Sequence, residues 1–357
     1  MKKLTVLLVA FLAITSLDWF TFSEVSAAEL NFSVEPIIPE NQRDKKKTYF
    51  DLLVKPASTQ IIAVNLRNDT ENEVIVEPEI HSAITNLNGV VEYGKENQNK
   101  DETLKYDLRN LVKVEKEIKI PSKTAVKVSF TIDVPEEQFD GILAGGITFK
   151  EKEAEAGNKE NSNSKGLSIE NRYAYVVGLV LNETNTKLES ELRLNKITPS
   201  QINARNVINV NLQNPVSKYL NRLKVEAKVS KKGSNKPIIT SKKDKMQMAP
   251  NSNFYYPISL EGQPLKAGNY TLEIVAVSND DKWNWKKDFT IKAEDAKKLN
   301  ETDVTIKKDY TWIVYLVGLI LLIIVFFLLF LVRKNKKRRE KEEARRIKNK
   351  RKRRKKN

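Results

Sequence analysis

The chain has 357 residues, no cysteine, one histidine and a formal net charge of +16. It therefore holds no disulfide and no thiolate nucleophile or thiolate metal site, and a Ser-His-Asp triad would hang on a single ring. The charge is not a nucleic-acid footprint, because residues 333–357 carry 17 Lys and Arg against three Glu and leave residues 29–332 close to neutral.

At the N-terminus, Met1-Lys2-Lys3 precedes an apolar run over 4–17 and the small residues Ser26-Ala27-Ala28. This is the pattern of a secretory signal peptide, so residues 1–28 are assigned to it. From 29 to 152 the sequence reads as short alternating segments punctuated by turns. Residues 61–67 and 74–77 flank a polar turn at Asn68-Asp69, and Asn88-Gly89 between Ile84 and Val90-Val91 is a strong hairpin signal. Along 125–134, Val126, Val128, Phe130, Ile132 and Val134 share one face. Gly141, Gly145 and Gly146 are too few and wrongly spaced for a phosphate loop; they predict a tight turn and a close approach between strands. His81 falls on the more polar face of a strand, which predicts a surface position.

Residues 150–166 contain nothing apolar larger than alanine and read as a linker or hairpin tip. The strand over 172–181 is apolar on both faces and so buried on both; it could open a second domain or close the first by pairing with 146–149. Further strands over 188–197, 207–212, 223–229 and 254–260 are broken at Asn214-Pro215, Lys232-Gly233-Ser234 and Ala249-Pro250-Asn251. In the last hairpin, Trp283, Trp285, Phe289 and Ile291 share a face. Their spacing of two favours a core role over sugar stacking.

Residues 296–311 read as a polar stalk. The 21 residues 312–332 carry no charge and, at about 1.5 Å each, extend roughly 31 Å as a helix, enough to cross a bilayer. The Lys- and Arg-rich tail over 333–357 predicts a cytoplasmic end that also meets anionic lipid, with everything before the span outside the cell. The stalk contains no Leu-Pro-x-Thr-Gly sorting pentapeptide. The expected fold is all-β: two immunoglobulin-like antiparallel sandwiches, over 29–152 and 166–295, on a single transmembrane helix. Phosphate-binding loops, nucleophile elbows and paired-histidine helices are missing from the sequence, so no catalytic, cofactor or metal residue is assigned and the chain reads as a non-enzyme.

Several motifs, in order, give a sharper reading. Thr48-Tyr49-Phe50-Asp51-Leu52, Ala83-Ile84-Thr85-Asn86-Leu87-Asn88-Gly89-Val90 and Phe139-Asp140-Gly141-Ile142-Leu143-Ala144-Gly145-Gly146-Ile147 occupy the first half. Asn171-Arg172-Tyr173-Ala174-Tyr175, Leu212-Gln213-Asn214-Pro215, Met248-Ala249-Pro250-Asn251 and Ala267-Gly268-Asn269-Tyr270 occupy the second. Together they resemble the WxL-interacting proteins of Gram-positive bacteria. The resemblance implies a peptidoglycan-binding first domain, a host-binding second domain, WxL-domain surface proteins as partners and host extracellular-matrix proteins as further ligands. One departure is Pro56-Ala57-Ser58, where relatives often have Pro-Gly, which predicts a different turn. Among the residues themselves, Tyr49 and Phe50 are adjacent, so on a strand one faces outward; with Asp51 they are the candidate glycan contacts. Three rivals stand beside the scaffold reading. A chaperone-like assembly factor would show a long uncharged strand edge left unpaired, a direct adhesin would bind matrix proteins alone, and a glycan hydrolase would need two facing carboxylates.

Overall fold

A computed structural model describes residues 31–95, 100–152, 173–306 and 311–354. The signal peptide, most of the 150–166 segment and Tyr310 lie outside the described residues.

In the first half, alternating apolar residues build two facing sheets. One runs in the order β1 (Phe32–Ile37), β3 (Thr59–Asn68), β9 (Ala125–Asp133), β7 (Val112–Lys113). The other runs β2 (Phe50–Leu53), β11 (Ala174–Asn182), β10 (Ile142–Glu151), β4 (Val74–Ser82), β8 (Ile118–Ile120). The hairpin predicted at Asn88-Gly89 forms between β5 (Ile84–Thr85) and β6 (Val91–Glu92), with Gly89 N–H donating to the Asn86 carbonyl at 2.8 Å. On β9 the predicted face is the core face: Val128, Phe130, Ile132 and Val134 are buried, and Phe130 meets Phe149 of β10 edge-on at 6.0 Å. A one-turn helix, α1 (Leu108–Leu111), plugs Leu108 into this core.

Strand β11 belongs to this first sandwich. Nine residues, Ala174 to Asn182, pair antiparallel with β10, so a second domain beginning at 166 would cut through a continuous sheet. The sandwich is also not purely antiparallel, since β11 and β2 run parallel over four residues. Glycines make the sheet possible where strands and loops crowd it. A Cβ on Gly145 would lie 2.1 Å from the His81 carbonyl oxygen, and one on Gly146 2.8 Å from Tyr93, as the predicted close approach requires. His81 departs from its surface assignment: it is 7% exposed, because the sheet folds both faces of β4 inward, and its Nε2 lies 3.2 Å from Glu79. Ala57 departs too. It keeps the left-handed conformation at φ 55°, so the turn is one that suits glycine even though alanine occupies it.

The second half repeats the two-layer plan. One sheet is β12 (Arg193–Ile202), β13 (Arg205–Asn214), β16 (Ser252–Ser259); the other is β15 (Pro237–Met248), β14 (Leu220–Lys231), β17 (Gly268–Ser278), β18 (Asp281–Ile291). On β18, Phe289 and Ile291 are buried and Trp283 and Trp285 pack against the same core, as their spacing predicts. The start of the stalk is not free chain. Residues Ala293–Thr302 form helix α2, which buries Ala296 and packs Leu299 on the sandwich. Asp303 then accepts the Asn206 N–H at 2.7 Å, and Val304 N–H donates to the Ala204 carbonyl at 3.0 Å. Beyond it, helix α3 (Thr311–Arg354) contains a stretch long and apolar enough to cross a membrane, with a mean hydropathy of 3.3.

The two sandwiches are joined by polar contacts around a small apolar cluster of Ala83, Val91, Ala144 and Ala249. Ile142 N–H donates to the Ser217 carbonyl and Gln247 N–H to that of Gly89, each at 2.8 Å. Asp101, 2% exposed, accepts from Gln213 at 2.9 Å and Asn253 at 2.6 Å. Burial alone would push the Asp101 carboxyl up; hydrogen bonds from Thr103, Asn253 and Gln213 outweigh that and hold it below its usual range.

Candidate functional site

A cleft of about 840 Å³ opens beside β11 and runs to the junction of the two sandwiches. Its architecture starts with Gln42. The Gln42 amide donates to the Tyr49 carbonyl at 2.8 Å and accepts the Asp51 N–H at 2.9 Å, which pins the loop leading into β2. That pinning sets Tyr49 over Gly178 of β11, where an added Cβ would touch Tyr49 at 3.5 Å. Asp51 turns to the same side and takes a hydrogen bond from Lys47 at 2.6 Å and one from Asn182 at 3.1 Å. The hydrogen bond to Asp51 raises the Lys47 ammonium above its ordinary range, and Lys47 lies 5.2 Å from the Tyr49 ring centroid. Arg43 completes this end, bonded to Asn182 at 2.8 Å.

Of the three residues singled out in the sequence, Tyr49 and Asp51 line the cleft and Phe50 does not. Phe50 is 0% exposed in the first core, since strand alternation turns it away from its neighbours. It is withdrawn as a ligand contact. The sequence reading missed three other tyrosines. Tyr175 lies on β11 itself, Tyr93 directly follows β6, and Tyr219 comes from the second sandwich, its hydroxyl 3.1 Å from that of Tyr93. Burial raises the pKa of both Tyr93 and Tyr219, so both phenols stay protonated hydroxyls able to donate. Tyr173-Ala174-Tyr175 carried a usable signal, an aromatic pair with alternate spacing in a strand with no charge. Tyr93 and Tyr219 are 126 residues apart and carried none.

Chemically, aromatic faces, hydroxyls and a Lys47–Asp51 pair suit a polar ring system with apolar faces, such as a sugar. Among the described residues Asp51 is the one carboxylate lining the cleft, and Lys47 already occupies it. Among the described residues no cluster of His, Asp and Glu fit for a metal is found.

No curated protein matches the chain in sequence. Solved structures similar to it include the E. coli chaperone DraB, at 13% identity over 73% of this chain and 98% of that one, with a TM-score of 0.28. The CsuC–CsuE chaperone–tip adhesion subunit complex of Acinetobacter baumannii is 11% identical over 72% and 98%, with a TM-score of 0.31. A family 123 glycoside hydrolase from Clostridium perfringens is 10% identical over 43% and 28%, with a TM-score of 0.28. Family models are specific where these likenesses are not. The peptidoglycan-binding domain of the WxL-interacting proteins matches residues 32–151 and their host-binding domain matches 164–301, in the order of the two sandwiches, so the chain belongs to the WxL-interacting protein family.

Proposed function

We propose that this chain is a non-enzymatic surface scaffold, anchored by α3, that holds peptidoglycan with its first sandwich and recruits a WxL-domain surface protein. The observation that supports the wall-binding half is the polar end of the cleft: Lys47, Tyr49 and Asp51 fall within residues 32–151, matched by the peptidoglycan-binding family model, while the β11 and Tyr219 walls fall within the host-binding match. Among the described residues the cleft presents one carboxylate, engaged by lysine; this favours binding over glycoside hydrolysis, which uses a pair.

Docking of residues 293–305 also shortens the tether. Six residues lie between Thr305 and Trp312, a reach of at most about 25 Å. The second sandwich then stays near the bilayer, within the wall, and its contact with host matrix proteins depends on the assembled complex. The test is retention of the purified chain on insoluble peptidoglycan and, separately, on a WxL-domain protein of the same genome. Retention on both is expected; loss of the first removes the wall-binding role, and loss of the second removes the scaffold.

A further inference from the structure

The cleft exposes an unfinished sheet edge. Strand β11 has β10 along its whole length on one side, but on the other β2 accompanies it only from Leu179 to Asn182. Val54 N–H donates to the Asn182 carbonyl at 2.8 Å, so the main-chain groups of Asn182 face the β2 side. By strand alternation those of Val176 and Ala174 face the same side, where among the described residues no strand pairs with them. The segment is not blunted in the way edges usually are: from Tyr173 to Asn182 there is no charge and no proline. Tyr173, Tyr175 and Val176 are 50%, 38% and 46% exposed.

We propose that this edge is a docking slot for an extended segment of a partner polypeptide, which continues the line of β2 and adds a strand to β11. The proposal rests on the scaffold reading only in requiring a partner protein. The slot runs from Ala174 to Gly178, five residues or about 17 Å of strand. Val34 and Pro36 of β1 also line the cleft, and Phe32 of β1 meets Tyr175 edge-on at 5.5 Å, so the slot is flanked by apolar surface. Charge enters only at one end, where Arg43 and Lys47 face the single carboxylate of Asp51 and leave an excess of one positive charge. The complementary segment is uncharged through the slot and acidic at that end. A second copy of this chain does not fit, because its own β11 edge is recessed in the same cleft; a projecting segment reaches the slot.

The test uses the full chain in detergent micelles and two fluorescein-labelled heptapeptides of alternating threonine and valine, one with aspartate at each end. Saturable binding of at least one is expected, with slowed amide exchange at Ala174 and Val176. N-methylation of alternate peptide amides should weaken binding at least tenfold, since it removes donors and leaves the apolar side chains. Val176→Pro and Ala174→Pro should do the same, because each removes an N–H aimed away from β10. If a proline variant fails to fold, the N-methylated peptide on the unaltered chain still decides. Equal binding of the N-methylated peptides, no saturable binding up to millimolar peptide, protection of these amides by muropeptides alone, or a dimer abolished by Val176→Pro would each overturn the proposal. Peptidoglycan retention measured beside it separates the two readings. Retention without peptide binding sinks the slot alone, and peptide binding without retention sinks the wall-binding role alone.

Discussion

The two sandwiches share a plan and differ in how they treat their edges. In the second, β15 carries Lys242, Lys243, Asp244 and Lys245, β18 carries Lys282, Lys286 and Lys287, β12 carries Arg193, Lys196 and Pro199, and β16 carries Pro257. Charge and proline discourage any further strand there, and α2 braces the sandwich from below. The first instead takes its strand β11 from beyond the 153–172 segment, covers half of one side with β2 and, among the described residues, leaves the other half unpaired inside a tyrosine-lined cleft. The second guards its edges with charge and proline, whereas the first leaves half of one edge without a paired strand among the described residues.

The largest effect should come from removing the close approach that lets the first sandwich form. Gly145→Val puts carbon 2.1 Å from the His81 carbonyl oxygen on β4 and 2.6 Å from the buried Leu108 side chain, so the β4 backbone itself must shift. A loss of about 3 kcal/mol or more is expected, in the range of severe core overpacking. Residues 29–182 contain no tryptophan, whereas Trp283 and Trp285 sit in the second sandwich. Far-UV circular dichroism should therefore show an early transition that tryptophan fluorescence does not share. Coincident transitions would mean that the two halves are one cooperative unit and that the contrast between them is only architectural.

The joint comes next. Asp101→Ala leaves the Gln213 and Asn253 amides without their carboxylate, at a cost of about 2 kcal/mol. Acid should mimic it. Because the Asp101 carboxyl is held below its unfolded pKa, its contribution is fully present above the ordinary carboxylate range and fades as pH falls through that range to the depressed value. A joint that loosens on acidification in the unaltered chain but not in Asp101→Ala, followed by small-angle scattering, would assign the effect to this side chain.

At the cleft, Tyr49→Ala should weaken retention on peptidoglycan by about five- to thirtyfold, the 1–2 kcal/mol of an aromatic contact, while leaving the melting curve nearly unchanged because Tyr49 rests on the surface of Gly178. Phe50→Ala should do the reverse, collapsing the fold through a core cavity. Equal effects of the two on retention at unchanged stability would remove the distinction between them.

How much of this was legible follows from which interactions are local. Alternation along 125–134 and 283–291 gave strand, face and burial together, because period-two patterning is written residue by residue. The same rule required one of Tyr49 and Phe50 to face out, and only packing chose Tyr49. His81 misled because polarity on a strand face signals solvent only when nothing covers that face, and here the chain folds over it. Strand β11 was ambiguous since an apolar strand names no partner; its register with β10 depends on the facing glycines Gly146 and Gly178, which lie 32 residues apart in sequence. The cleft was least legible of all, as Tyr93 and Tyr219 meet only after both sandwiches dock.

The smallest prediction concerns the turn at 57 and tests whether the first sandwich carries avoidable strain. Ala57 holds φ 55° and donates its N–H to the Pro135 carbonyl at 2.9 Å, while Ser58 N–H returns to Lys55 at 3.3 Å, so the loop between β2 and β3 is fixed by bonds that demand this conformation. An L-residue pays about 1–2 kcal/mol to adopt it, and glycine removes that strain at an entropic cost of about 0.4–1 kcal/mol in the unfolded chain. Ala57→Gly should therefore stabilise the first sandwich by about 0.5–1 kcal/mol. The matched change at Ala204, also left-handed at φ 55° in the β12–β13 turn, should stabilise the second by a similar amount. Equal gains at both sites would show that backbone strain is spread evenly over the two halves, leaving the bare β11 edge as the feature that sets the first sandwich apart. A gain at Ala57 alone would place both strain and open edge in the same half, as expected of the half that waits for a ligand.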